Sequence, residues 1–266
     1  MGLSPVPAAA QSYAYVPTHK SNSVSVINTA SNSVVAVVSV GVQPLQAAVS
    51  PDGAFAYVTN SGWFLGNNDV SVISTATNSV VATIPVGRFP VGVAFTPNGA
   101  LAYVANQNSN DVSVINTVTQ TTVATVPVGT SPWGVAVTPN GAFAYVANYL
   151  SSSLSMISTA TNTVVGTVLT PAYPIAIAIT PDGASAYVAT NGNNIVSVIN
   201  TASNSAATSV AVGSIPRGVA ITPDGAFAYV FNRMSEDVSV ISTATNTVVA
   251  TISGVALLPE GIAIKP

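Results

Sequence analysis

The dipeptide Tyr-Val recurs at Tyr15, Tyr57, Tyr103, Tyr145, Tyr187 and Tyr229, at a spacing of 42 residues broken once by 46. Each period holds four short runs rich in Val, Ile and Tyr, and no helical period appears. The first repeat opens on a second-type strand, Tyr13-Ala14-Tyr15-Val16, and the last run, Gly261-Ile262-Ala263-Ile264-Lys265, is a lone first-type strand. Together these observations predict an all-β chain: a six-bladed β-propeller of four-stranded antiparallel blades, closed by a one-plus-three clasp between its two ends.

The strands follow in a fixed order. Within one repeat the first is Trp133-Gly134-Val135-Ala136-Val137 and the second Phe143-Ala144-Tyr145-Val146. The third is Leu154-Ser155-Met156-Ile157 and the fourth Val164-Val165-Gly166-Thr167-Val168. Between the first and second lies a Pro-Asp-Gly or Pro-Asn-Gly turn, as at Pro51, Pro139, Pro181 and Pro223. Pro presets φ, Asp or Asn bonds its own backbone, and Gly takes positive φ. Asp52, Asp182 and Asp224 therefore read as turn formers. Between the third and fourth lies a polar turn such as Ser158-Thr159-Ala160-Thr161-Asn162-Thr163. The extra four residues of the second repeat fall in the loop Gly62-Trp63-Phe64-Leu65-Gly66-Asn67-Asn68. A single meander cannot cover both its faces. Radial packing covers both and leaves short protected edges.

One propeller domain is expected over residues 12–266, preceded by a flexible leader or signal-peptide remnant at 1–11, where Ala8-Ala9-Ala10 resembles a cleavage site. Charged residues make up only 5% of the chain, against about 25% in an ordinary soluble domain. The net charge of -3 gives no case for nucleic acid or an anionic membrane, and no run is apolar enough for a transmembrane helix. Absence of Cys removes disulfides, thiolate metal sites and cysteine nucleophiles. A surface poor in Lys and Glu and rich in Thr, Asn and Ser points to a secreted or cell-surface protein.

The motifs Tyr57-Val58-Thr59-Asn60, Pro51-Asp52-Gly53 and Val70 to Asn78 (Val-Ser-Val-Ile-Ser-Thr-Ala-Thr-Asn) resemble the YVTN β-propeller repeat. Variants stand at Tyr103-Val104-Ala105-Asn106, Tyr145-Val146-Ala147-Asn148 and Tyr229-Val230-Phe231-Asn232, while Tyr15-Val16-Pro17-Thr18 and Tyr187-Val188-Ala189-Thr190 end in Thr. The resemblance implies a surface-layer-like or secreted propeller, with an architecture shared by lactonases and the haem d1 domain of nitrite reductases. Relatives often have seven blades.

In an antiparallel meander the Pro-Asp-Gly turns and the third-to-fourth turns share one face. The second-to-third loops and the links between repeats share the other, and nearly all the irregular residues lie there. Repeated residues are those the fold requires, so unrepeated ones mark the candidate site. A channel-mouth ring comprises Phe89, Trp133, Tyr173, Arg217 and Glu260, with Arg217 and Glu260 equivalent in neighbouring repeats. An outer ring of interaction loops comprises His19, Lys20, Trp63, Phe64, Tyr149, Arg233 and Glu236. Aromatics with Asn and a few charges suit a glycan, peptide or protein partner, and a low-charge surface suits self-assembly.

Catalytic chemistry is sparse. His19 is the single histidine, and no Gly-x-Ser-x-Gly elbow accompanies it. The recurrence of Asn60, Asn106, Asn148 and Asn232 suggests backbone hydrogen bonding, not a calcium site of the lactonase type. No metal, cofactor or catalytic residue is expected. The leading expectation is a non-catalytic secreted or cell-surface scaffold for binding or assembly. The alternative is a lactonase- or lyase-like enzyme acting at the channel mouth with Glu260, Arg217 and His19.

Overall fold

Runs such as Phe55-Ala56-Tyr57-Val58-Thr59-Asn60 place aromatic and β-branched side chains on a pleated surface, and each forms a strand. A computed structural model describes residues 12–62 and 68–255. It holds six antiparallel sheets and, among the described residues, no helix.

Sheet 1 has three strands, Tyr13–Thr18, Ser23–Asn28 and Ser33–Ser39. Sheet 2 has four: Pro44–Val49, Phe55–Asn60, Asp69–Ser74 and Ser79–Pro85. Sheet 3 follows with Pro90–Phe95, Leu101–Asn106, Asp111–Asn116 and Thr121–Pro127. Sheet 4 comprises Pro132–Val137, Phe143–Asn148, Ser153–Ser158 and Thr163–Leu169. Sheet 5 comprises Pro174–Ile179, Ser185–Thr190, Ile195–Asn200 and Ser205–Ala211. Sheet 6 comprises Pro216–Ile221, Phe227–Asn232, Asp237–Ser242 and Thr247–Ser253.

Every sheet is a meander in chain order. The first strands of sheets 2 to 6 pack against one another, while the fourth strands barely meet, so the sheets radiate from a common axis as in a β-propeller. The expected closing strand, Gly261 to Lys265, lies outside the described residues, as do the leader at 1–11 and the loop residues 63–67.

The core sits between successive sheets. Tyr57, Val70, Val72 and Ile84 of sheet 2 meet Val93, Ala102, Val104 and Ile115 of sheet 3, all buried. Burying one Val or Ile side chain contributes about 1.5–3 kcal/mol, so these interfaces dominate the stability. Sheets 1 and 6 have less covered flanks. Ile252 is 45% exposed where its counterpart Ile84 is 1% exposed, and Val16 is 43% exposed where Val58 is fully buried.

No fourth strand carries a charged residue to deter edge pairing. Instead each pairs through a bulge at the same register point, skipping Val35, Val81, Val123, Val165, Ala207 and Val249. A bulge increases twist and blunts an exposed edge without charge.

The recurring Asn has a different role from the one expected. Its amide bonds side chains of the third strand, not backbone: Asn60 Nδ2 donates to Asp69 Oδ1 at 2.6 Å and to Ser71 Oγ at 2.8 Å. Asn106 and Asn232 repeat the pair with Asp111 and Ser113, and with Asp237 and Ser239. Asn148 donates to Ser153 and Ser155. Each amide lies flat on a glycine of the preceding link. A Cβ on Gly87 would come within 2.5 Å of Asn106 Nδ2, and one on Gly41 within 2.6 Å of Asn60. This latch of Asn on Gly explains why both residues recur together.

Candidate functional site

The mouth face is made by two sets of segments, and they are hydrogen-bonded to each other. Ser61 N–H donates to the Gln43 carbonyl, Gln107 N–H to Phe89, Tyr149 N–H to Ser131, Asn191 N–H to Tyr173 and Arg233 N–H to Ile215. The two rings of variation seen in the sequence are thus one surface.

The described residues preceding the link proline, Gln43, Phe89, Ser131, Tyr173 and Ile215, all hold left-handed φ between 55° and 64°. For β-branched Ile215 this is strained backbone, and such strain persists only where neighbours hold it. Asparagine side chains do so here: Asn22, Asn68, Asn110 and Asn194 accept the N–H of Gln43, Phe89, Ser131 and Ile215 at 2.8–2.9 Å. Just after the proline the first strand bulges. The pairing register skips Leu45, Val91, Trp133, Ile175 and Arg217. The most variable residue of each repeat is therefore a bulge residue, freed from the ladder: Val91 and Ile175 are buried there, while Trp133 and Arg217 are half-buried.

Two bulge residues, Trp133 and Arg217, stand in a row with Tyr149 of a second-to-third loop and Tyr173 of a link. The Arg217 guanidinium carbon sits 5.8 Å from the Trp133 ring centroid. Trp133 meets Tyr149 at 6.0 Å with an interplanar angle of 45°. Tyr149 stacks on Tyr173 at 4.9 Å and 25°. Separations of this size favour aromatic and cation–π attraction. Trp133, Tyr173 and Arg217, predicted for the mouth, are thus brought together. Tyr149, predicted for the outer loops, joins them.

Other predicted residues lie elsewhere. Phe89 is 5% exposed and sits beneath the rim rather than on it. Its ring is buried although its backbone shares the left-handed conformation of exposed Tyr173. His19 and Lys20 are exposed on the loop of sheet 1, and Arg233 and Glu236 are half-buried on the loop of sheet 6. Glu260, Trp63 and Phe64 lie outside the described residues. Gln43, at the link position of Phe89 and Tyr173, has its Oε1 buried at this face without a protein partner.

Lys20, Arg88, Arg217 and Arg233 all sit on mouth-face segments, together with Asp69, Asp111, Glu236 and Asp237. Asp52, Asp182 and Asp224 sit in the turns of the opposite face, where Ser or Thr hydroxyls and backbone N–H groups hold their carboxyls below the usual range. Among the described residues no three His, Asp or Glu side chains converge.

The sequence matches the family described as "Lactonase, 7-bladed beta-propeller" over residues 8–126 and 116–264. The chain belongs to this lactonase propeller family. Its fold is also that of a chain of Kuenenia stuttgartiensis hydrazine synthase, at 23% identity and a TM-score of 0.83, covering 93% of this chain and 84% of that one. A functionally unknown protein from Desulfotomaculum acetoxidans is similar at 22% identity and a TM-score of 0.79, covering 94% and 84%. No curated protein sequence matches. Membership of the lactonase propeller family overturns the expectation of a non-catalytic scaffold. That expectation treated the missing nucleophile triad as missing catalysis. Opening an ester needs only a polarised carbonyl and an activated water, neither of which leaves a local sequence motif.

Proposed function

We propose that this lactonase-family propeller hydrolyses a cyclic ester bound at the mouth of the central channel. The observation that carries the reading is the family match along residues 8–126 and 116–264. The described cations and the aromatic row favour the mouth over the opposite face, which repeats turn for turn. Water attacks the ester carbonyl, charge builds on its oxygen and the ring C–O bond breaks. The product is a hydroxy acid that sheds one proton.

Arg217 is assigned to the developing oxyanion, where a preorganised donor acts on charge that appears only in the transition state. Glu260 is assigned to take the proton from water. In sequence it stands at the Arg217 position of the following repeat. Trp133, Tyr149 and Tyr173 line the mouth beside Arg217. Proton release from a panel of γ- and δ-lactones, followed with a pH indicator, tests the reading. The wild type is expected to open at least one. Arg217→Ala is expected to lose about 10²–10³ in kcat, and Glu260→Gln about 10²–10⁴. A wild type inert against the whole panel overturns the activity, and Arg217→Ala at the wild-type rate removes it from the mouth.

The ring is proposed to close with six blades, a departure from the seven of the family. Two internal correspondences support this. The latch Asn is replaced by Thr at Thr190 and Thr18 alone. The matching latch Gly is replaced at the two corresponding link positions, Pro171 and Ala256. Thr18 thus corresponds with the link that precedes Gly261 to Lys265, as its own blade requires. The open flanks of sheets 6 and 1, marked by Ile252 and Val16, also face the directions that closure would cover.

A further inference from the structure

Sheet 5 departs from its neighbours at the mouth end. Thr190 replaces the latch Asn and turns its hydroxyl to the Ile195 carbonyl at 2.9 Å. Pro171 replaces the latch Gly and has no N–H to offer. In sheet 3 the equivalent serine hydroxyl, Ser113 Oγ, receives both Gly87 N–H and Asn106 Nδ2. In sheet 5 Ser197 Oγ is buried without a protein partner. A buried hydroxyl left unmade is destabilising, so the sheet gives up stability at this end.

What the departure accompanies is the placement of Tyr173. The link Pro171-Ala172-Tyr173 brings Tyr173 to φ 64°, the largest of its set. Ala172 N–H is held by Asn193 Oδ1 at 3.0 Å, where the other loops use serine. The Tyr173 ring lies against Gly192, where any Cβ would come within 2.6 Å of its Cδ2. From there the row continues through Tyr149 and Trp133 to Arg217. Local rules of a repeat are broken where function asks for it.

We infer that Trp133, backed by Tyr149 and Tyr173, is a positioning residue that fixes the Arg217 guanidinium over the channel mouth. The inference rests on the assignment of Arg217 to the oxyanion. Arg217 projects from sheet 6 and reaches Trp133 of sheet 4, passing over sheet 5. A long flexible side chain so placed before substrate arrives needs no reorganisation during the reaction. Binding and chemistry separate accordingly: the row sets kcat through Arg217 and leaves most of KM to other contacts.

The test uses the full chain with Trp63→Phe, which leaves Trp133 as the single tryptophan. Arg217→Ala and Tyr149→Leu are each expected to shift Trp133 fluorescence emission. This readout does not depend on any lactone being a substrate. In the lactone assay Trp133→Leu is expected to lower kcat about ten- to a hundredfold with KM changed less, and Trp133→Phe to restore most of it by returning a π face. The double variant Thr190→Asn with Pro171→Gly, which rebuilds the latch, is expected to raise Tm while lowering kcat. Emission unmoved by Arg217→Ala, or Trp133→Leu with wild-type kcat, overturns the inference. A higher Tm with unchanged kcat in the latch variant also counts against it. Shifted emission in a protein inert to all lactones would fault the proposed activity and leave the positioning contact standing.

Discussion

The phenol of Tyr103 in sheet 3 donates to Asn162 Oδ1 in the third-to-fourth turn of sheet 4, at 2.7 Å. Tyr145 does the same to Asn204 at 2.6 Å, Tyr187 to Asn246, and Tyr15 to Asn78 at 3.3 Å. The residue that gives the repeat its register is therefore a bolt between sheets. It crosses the core and ends on an acceptor in the next repeat. Each acceptor Asn has φ between 50° and 53°, a conformation its short polar side chain tolerates better than most.

Between the successive sheets 1 to 6, one bolt is missing. Tyr57 Oη is buried without a partner, and the residue at the acceptor position is Gln120, at φ 53°. Glutamine is one methylene too long and is less suited to left-handed backbone. Gln120→Asn is expected to stabilise the protein by about 1–2 kcal/mol, from one satisfied buried hydroxyl and relieved backbone. Tyr57→Phe is expected to be close to neutral, whereas Tyr103→Phe costs about 1 kcal/mol. Urea unfolding of the three variants checks this. Equal losses from the two Tyr→Phe changes would remove the bolt from the account.

Ring closure makes a prediction through the same pair. In a six-bladed ring the bolt after Tyr187 is Tyr229, and its acceptor is Asn32 of sheet 1, which holds φ 52° like the other acceptors. Tyr229→Phe and Asn32→Ala are then coupled by at least about 0.5 kcal/mol in a double-mutant cycle. Additive effects would mean that sheets 6 and 1 do not meet, and six-blade closure would fall.

Much of this was legible in the sequence because strands, turns and faces follow from local rules that six copies state repeatedly. What was not legible depends on neighbours. Asn60 recurs in either account, and only the meander shows that its amide meets Asp69 and Ser71 on the adjoining strand. Tyr149 could be placed on a loop, but its stacking on Tyr173 depends on the strained link that turns Tyr173 towards it. Phe89 shared the pattern of Tyr173 and yet is buried, since the pattern fixes position along the chain and not which way the ring packs. Thr18 and Thr190 looked like simple departures. They make sense beside Ala256 and Pro171, a correlation between positions far apart in the repeat.

Alkaline titration reads the buried bolts directly. Burial pushes the Tyr103 hydroxyl up to about 12 and raises those of Tyr57, Tyr145 and Tyr187. A folded-state value above the unfolded value of about 10 favours the neutral phenol. That contribution to stability is whole below pH 10 and is lost as pH rises through the folded values. Absorbance at 295 nm is expected to show these buried tyrosines ionising late, accompanied by unfolding. All nine tyrosines ionising together near pH 10 would contradict the burial.

At the acid end the opposite sign applies. Asp52, Asp182 and Asp224 each accept a side-chain hydroxyl, from Ser50, Thr180 and Thr222, and a backbone N–H two residues on. The hydroxyl bond is the larger cause of their lowered values, and the backbone bond follows. A depressed folded value stabilises the protein above the unfolded value of about 3.9, and that stabilisation is lost as pH falls through the folded value. Sheets 3 and 4 carry an internal control. Asn98 and Asn140 accept the same two bonds, from Thr96 and Ala100 and from Thr138 and Ala142, with no proton to gain. Replacing Asp52, Asp182 and Asp224 by Asn is therefore expected to keep the turns and flatten the acid limb of stability. The urea midpoint of the triple variant should change less between pH 6 and pH 3 than that of the wild type. An unchanged acid limb would remove these three carboxylates as the source of the acid sensitivity.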